Sequence, residues 1–328
     1  MPRSENQKLK LTAIAKILLR YSDEKHPLTI KDICSKLEEE GISAERKSLY
    51  NDIRTLEDWG MDIVTPSKGK HYIASRDYEL AELKILVDVV QAANFLTEKK
   101  SEELIKKLES ETSIYEAKNL QRNVYIANRS KAVNESVLYN VDSIYNAIAE
   151  NKKIAFKYCE WNLKRELVPK KNGEEYCVSP WQLIWDDENY YLIGYDEAAD
   201  TTKYYRVDKM KDLAVTKSDR VGNDKMKDFD VAAFCKSTFG MFGGDDSKVY
   251  IKFPNKLVGV VIDRFGRDVT IKPIDDECFE ARVDAKISNQ FFGWVVGLGN
   301  EVEIIGPENV RKEFKKFIGE ISKKYSGK

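Results

Sequence analysis

Residues 178–210, VSPWQLIWDDENYYLIGYDEAADTTKYYRVDKM, leave this chain the fewest folds to choose from. They divide into three strand-length apolar runs, Trp181–Trp185, Tyr190–Tyr195 and Lys203–Val207. Asp-Asp-Glu-Asn and Asp-Glu-Ala-Ala-Asp-Thr-Thr separate the runs, and both have turn chemistry. The spacing predicts an antiparallel meander. Side chains alternate across a strand, so Tyr191, Ile193 and Tyr195 share one face of the middle run, and Tyr204 shares a face with Arg206 on the next. Hydroxylated rings around a guanidinium suit an anionic ligand that also carries a flat ring.

Three blocks in this stretch carry a family resemblance: Ser179-Pro180-x-x-Leu183, then Tyr190-Tyr191-Leu192-x-Gly194-Tyr195-Asp196, then Tyr205-Arg206-Val207-Asp208. Together they resemble the WYL domain, an Sm-like antiparallel β-barrel that serves as the sensor of many bacterial transcription factors. Upstream, Ile154-Ala155-Phe156-x-Tyr158 and Arg165-x-x-Val168-Pro169 stand where such a domain has its first two strands. The resemblance implies an effector site drawn from Tyr158, Arg165, Ser179, Tyr191, Tyr195, Tyr204 and Arg206. Its ligand would bear phosphate: a single-stranded oligonucleotide, a nucleotide or another phosphorylated ligand. Two departures stand out. Tyr190 takes the place of the name-giving tryptophan, and Lys203 and Lys209 stand where many members have arginines. Lysine keeps the charge but loses the bidentate fork. The residues by themselves also admit a blander reading, in which the tyrosines are half-buried packing and Arg206 pairs with Asp208 or a turn carboxylate.

A length of 328 residues is enough for two or three domains. The net charge of −1 and pI near 6.3 mean that any contact with nucleic acid must come from local patches. Five cysteines without a CxxC pair and only two histidines, His26 and His71, build no zinc spacing, so no metal or cofactor is expected. The odd cysteine count fits a reducing cytoplasm, and no apolar run reaches the roughly 18 residues of a membrane span. GxGxxG, GxxxxGK[ST], HExxH and GxSxG are all absent from the sequence, which points away from an enzyme. The acidic pairs Asp186-Asp187 and Asp245-Asp246 read as solvated turns.

The N-terminal quarter shows a different periodicity. Lys8–Tyr21 predicts a helix with Leu11, Ile14, Ala15, Leu18 and Leu19 on one stripe. Thr29 is placed as the N-cap of a second helix that buries Ile33 and Leu37 and stops at Gly41; Ser43 is placed as the N-cap of a third, with Leu49, Ile53 and Leu56 inside and Gly60 as its stop. Two short strands around the tip Pro66-Ser67-Lys68-Gly69-Lys70 follow. Residues 8–74 resemble the winged helix-turn-helix found at the N-terminus of WYL regulators, whose third helix enters the major groove. Away from the apolar stripe that helix offers Ala44, Arg46, Lys47, Ser48, Tyr50, Asn51 and Arg54, and the wing adds Lys68, Lys70 and His71. These donors reach phosphates and base edges, although Glu45, Asp52 and Glu57 offset part of the charge.

Helical periodicity returns over 78–107, where Leu80, Leu83, Leu86, Val87 and Val90 form a wide stripe and Ser101 followed by two glutamates reads as a helix start. Residues 112–133 read as a connector, and 137–150 as a helix leading into the first barrel strand at Lys153. A short helix is expected at Val231–Lys236. Beyond Gly244 the order strand, helix, strand, strand, helix, strand, helix suggests a ferredoxin-like βαββαβ domain with an added helix. It resembles the extension that follows the WYL domain in such regulators.

The expected architecture is thus an α+β multidomain chain: winged helix-turn-helix over 1–75, helical linker over 76–134, WYL barrel over 135–225 and ferredoxin-like extension over 226–328. The function it implies is a ligand-responsive regulator of transcription that binds a double-stranded operator as a homodimer. The rival is a nucleic-acid-responsive accessory protein that modulates a nuclease or repair enzyme.

Overall fold

The protein is seen here as a computed structural model that describes residues 7–67, 69–120, 136–226 and 229–326. It divides into two compact units, Met1–Tyr139 and Asn140–Lys328.

In the first unit, α1 (Gln7–Tyr21), β1 (Leu28–Thr29), α2 (Ile30–Glu39), α3 (Arg46–Asp58), β2 (Ile63–Ser67) and β3 (Lys70–Ile73) follow in order, with an antiparallel sheet β1-β3-β2. Thr29 and Asp32 close a capping box on α2: the Thr29 hydroxyl accepts from the Asp32 N–H at 3.2 Å, and the Asp32 carboxylate accepts from the Thr29 N–H at 2.8 Å. Gly41, at φ 74°, ends the helix and sends Ile42 into the core. Because Ile42 is anchored there, the chain runs extended to Glu45 before α3 starts, so Ser43 does not cap it. The N-cap is Glu45, which makes no side-chain cap bond. Leu49, Ile53 and Leu56 of α3 pack with Ile14, Ile17, Leu18, Ile33 and Leu37. The stripe of α1 is rotated from the expected one, since Ile17 is buried while Leu19 is 42% exposed.

The rest of the unit is helical: α4 (Leu80–Ala92), α5 (Glu98–Glu109) and α6 (Ile114–Leu120). Thr97, not Ser101, starts α5 by accepting from the Lys100 N–H at 3.1 Å, and Ser101 is buried inside the helix. The expected connector begins with α6, and its residues 121–133 lie outside the described residues. Leu83, Val87 and Leu120 form the small core here, whereas Leu86, expected inside, is 36% exposed. Ser113 at the start of α6 donates to Asp23 at 2.5 Å, and Tyr115 stacks on His26 at 3.9 Å, which fastens α6 to the turn after α1.

The second unit opens with most of α7 (Ser136–Ala149), followed by β4 (Lys152–Trp161), β5 (Leu167–Pro169), β6 (Tyr176–Asp186), β7 (Asn189–Asp196), β8 (Thr201–Arg206) and β9 (Met210–Asp219). All pairings are antiparallel, in the order β5-β4-β6-β7-β8 with β9 added on β4. The expected Sm-like barrel takes the form of a curled half-barrel, in which β8 and β9 are not paired among the described residues. The three-residue 3-10 turn Val207–Lys209 makes a corner there and sends β9 across to β4. Ile154, Phe156, Val178, Leu192, Tyr205, Val207 and Met210 are buried along its inner face. Asn140 of α7 donates to the carbonyl of Met210 at 3.0 Å.

After α8 (Asn223–Met226) and α9 (Val231–Ser237) come β10 (Asp245–Pro254), α10 (Val258–Phe265), β11 (Thr270–Pro273), β12 (Cys278–Ile287), α11 (Asn289–Gly297), β13 (Glu303–Gly306) and α12 (Glu308–Tyr325). The sheet order β11-β12-β10-β13 interleaves two β-α-β crossovers. Val249, Ile251, Phe253, Phe279, Ala281 and Val283 alternate inward to meet Val261, Phe291, Val295 and Val310 of the helices.

Candidate functional site

Two surfaces collect the residues singled out from the sequence. On α3, burial of Leu49, Ile53 and Leu56 turns Arg46, Lys47, Tyr50, Asn51 and Arg54 to solvent. Ser48 is not among these free groups. The Lys10 ammonium of α1 donates to its hydroxyl at 2.7 Å and pairs with Asp52 at 2.6 Å, so this serine is half-buried in a staple between two helices. Lys70 is exposed on the β2–β3 hairpin, and Lys68 lies outside the described residues. His71 departs from its expected place at the wing surface. It is buried, 2.9 Å from the Thr65 hydroxyl through Nδ1 and edge-on to Tyr50, with no partner on Nε2 among the described residues, and burial lowers its pKa. A neutral, buried imidazole does not hold a phosphate.

On the curled sheet the seven expected effector residues fall into four places. Arg206 is the centre of the first. Its Nε and Nη2 donate to the two Asp208 carboxylate oxygens at 3.0 and 2.9 Å, and Nη2 also donates to the Asn189 side-chain oxygen at 2.6 Å. The Asp208 bonds raise the pKa of Arg206. Tyr191 is its cross-strand neighbour, and the Tyr158 hydroxyl accepts from its backbone N–H at 3.1 Å. The Tyr158 ring, however, belongs to the inner face, where it packs with Phe156, Tyr176 and Tyr205 at centroid distances of 5.3–6.3 Å. Burial raises the pKa of both Tyr158 and Tyr191, so both hydroxyls stay protonated.

Ser179 and Tyr195 make a second place. The buried Ser179 hydroxyl accepts from the Val221 N–H at 3.0 Å. Tyr195 donates to Asp200 at 2.6 Å, and this bond pushes its pKa up to about 12. Gly222, at φ 86°, lies so close to that ring that an added Cβ would come within 2.5 Å of it. Tyr204 makes a third. It stacks on Phe234 of α9 at 4.7 Å and 24°, within an apolar cluster that also holds Ile184, Tyr191, Ile193 and Met241. Arg165 is by itself, exposed at φ 63° in the turn between β4 and β5 and not on a strand.

Three residues here escaped the sequence reading, Asn189, Phe234 and Arg264, and a fourth, Asp186, is not where it was expected. Asn189 holds Arg206, but a turn asparagine signals only a turn. Phe234 lies 30 residues past Tyr204, and nothing in its spacing ties it to β8. Arg264 of α10 donates to the Thr238 carbonyl at 2.6 Å and lies over Phe239 at 4.2 Å. Asp186, expected in a solvated turn, is half-buried, and burial raises its pKa. The turn beyond it carries strain, with Asp187 and Glu188 both left-handed at φ 43° and 60°.

Comparison with known families places a WYL domain at residues 139–215 and a WCX domain at residues 245–321. Both domains are present in this chain. No curated protein matches it. Among solved structures, it is similar to proteasome accessory factor B/C (PafBC) of Arthrobacter aurescens, at 18% identity over 98% of this chain and 49% of that one, with a TM-score of 0.29. It thus spans about half the length of PafBC. A CRISPR Cas-related protein matches at 14% identity over 99% of this chain and 87% of that one, with a TM-score of 0.38.

Proposed function

We propose that this protein is a ligand-responsive regulator of transcription that binds duplex DNA as a homodimer. In this reading the first unit's three helices and hairpin act as a winged helix-turn-helix, the WYL sheet is the sensor, and the WCX segment is a ferredoxin-like domain that carries the signal. The effector is a phosphate-bearing ligand with a stackable ring, a short single strand of nucleic acid or a nucleotide. Among the described residues no helix is long and apolar enough to cross a membrane.

The observation that carries the reading is the α3 face. One side of the helix is fully engaged in a core, while the other presents Arg46, Lys47, Tyr50, Asn51 and Arg54 to solvent. That division lets a helix enter a groove without giving up its own fold. A single small unit makes few contacts, and twofold pairing doubles them on half-sites about one or two helical turns apart.

Genomic footprinting of the purified protein, with and without short single strands, tests the proposal. It expects a discrete protected duplex site whose occupancy changes with the oligonucleotide. Linkage requires oligonucleotide and duplex to change each other's affinity by the same factor. Saturable single-strand binding without any duplex footprint would favour the accessory-protein reading instead. Light scattering that shows a monomer at tens of micromolar, with or without duplex, would remove the dimer.

A further inference from the structure

Building on that effector reading, we infer that the WYL site holds itself occupied: the Asp208 carboxylate and the Phe234 ring take the two places that a nucleotide's phosphate and base would fill.

The phosphate place is the Arg206 fork. Two roughly parallel N–H donors meet the two Asp208 oxygens at 3.0 and 2.9 Å, the bidentate geometry with which arginine also grips a phosphate. Asp208 is only two residues away along the chain, so it acts as a tethered competitor. A short tether supplies an effective concentration on the order of millimolar, and a free anion must exceed this or bind more tightly. Asn189 occupies one further donor of the same guanidinium.

The base place is Tyr204. It lies on the same face of β8 as Arg206, two residues before it, which is about 6.6 Å along an extended strand. That separation suits one ligand carrying a flat ring and an anion. Phe234 already lies on Tyr204 at 4.7 Å with the planes 24° apart, a stacked arrangement of the kind a base adopts. The Lys286 ammonium stands 5.7 Å from the centroid of the Phe234 ring.

Phe234 is also positioned to report its own displacement. It sits on α9, a seven-residue helix too short to persist without its packing. α9 is tied into the WCX segment: Lys236 pairs with Asp268 at 3.3 Å, and the Thr238 carbonyl that follows the helix accepts from Arg264 at 2.6 Å. A ligand that takes the Tyr204 stack must move an element bonded to α10. Self-occupation also sets specificity. Phosphate alone competes with Asp208 but leaves Phe234 in place, and a nucleoside alone does the reverse, so only a ligand bearing both groups displaces both.

The test titrates inorganic phosphate, a nucleoside, a mononucleotide and a labelled short single strand into wild type, Asp208→Asn, Phe234→Leu and the double variant. Thermal unfolding checks that each is folded. Asp208→Asn is isosteric, and Phe234→Leu keeps an apolar side chain while removing the flat ring. The expected result is about tenfold tighter single-strand binding for each single variant and a larger gain for the double, with phosphate and nucleoside failing on wild type. A mononucleotide that matches the single strand would make the free nucleotide the ligand; a much weaker one would make it the strand. In wild type, amides of residues 231–237 should lose hydrogen-exchange protection at saturation. Variants that bind no tighter than a saturable wild type, or an α9 that keeps its protection, would overturn self-occupation and leave the effector reading standing. No saturable binding by any of the four proteins would sink both.

Discussion

The outer face of α3 and the outer face of β7–β8 offer similar chemistry, arginine and tyrosine on a regular element, yet the two surfaces are in opposite states. On α3 Arg46, Tyr50 and Arg54 are exposed. On the sheet, Arg206 is held by Asp208 and Asn189, Tyr195 by Asp200, and Tyr204 lies under Phe234. A side chain's type says what it can bind, while its neighbours decide whether that capacity is free. Ser48 makes the same point within α3, because Lys10 already engages it.

The largest effect should come from breaking the open surface. Replacing Arg46, Lys47 and Arg54 together by alanine is expected to weaken duplex binding by more than about 3 kcal/mol, at roughly 1–3 kcal/mol per base contact, with unchanged thermal unfolding. Fluorescence anisotropy on the footprinted site measures it, and retained affinity would show that α3 is not the reader. Arg206→Ala follows, with loss of single-strand binding while duplex binding without effector persists. Equal oligonucleotide affinity in that variant would remove the sheet as sensor.

A smaller effect sharpens the contrast inside α3. Lys10→Ala should destabilise the protein by about 1–3 kcal/mol, since it removes a charged hydrogen bond and an ion pair at a site where the lysine is nearly buried. Ser48→Ala should change duplex affinity far less than Arg54→Ala. If Ser48→Ala proves the more damaging of the two, the staple is being exchanged for a DNA contact.

His71 adds a pH dependence. Its native pKa lies below the ordinary 6.5, so in the window just under that value the unfolded chain takes up a proton that the native protein does not. Stability should therefore fall as pH drops through about 6.5 and level off below the native pKa, and His71→Phe should flatten this part of the profile in denaturant titrations. The smallest effect expected is at the β6–β7 turn. Asp187→Gly should stabilise by about 0.5 kcal/mol, because glycine adopts the left-handed backbone without a Cβ clash.

The sequence by itself determined the elements and their chemistry. Thr29 with Asp32 and Gly41 bounded α2, the Leu49/Ile53/Leu56 spacing set the buried side of α3, and the alternation in 178–210 placed the meander, all through interactions spanning a few residues. Wherever a distant partner decided, local pattern was insufficient. Ile42, anchored in the core, moved the start of α3 past Ser43, and Lys10 engaged Ser48 from 38 residues away. A corner at Val207–Lys209 left the sheet a half-barrel, and Phe234 covered Tyr204 from 30 residues further along the chain. Periodicity reports which side of an element is apolar. Only the folded chain fixes which polar group meets which, because the energy of a hydrogen bond or a stacked ring depends on separations of a few ångströms between residues that the sequence keeps far apart.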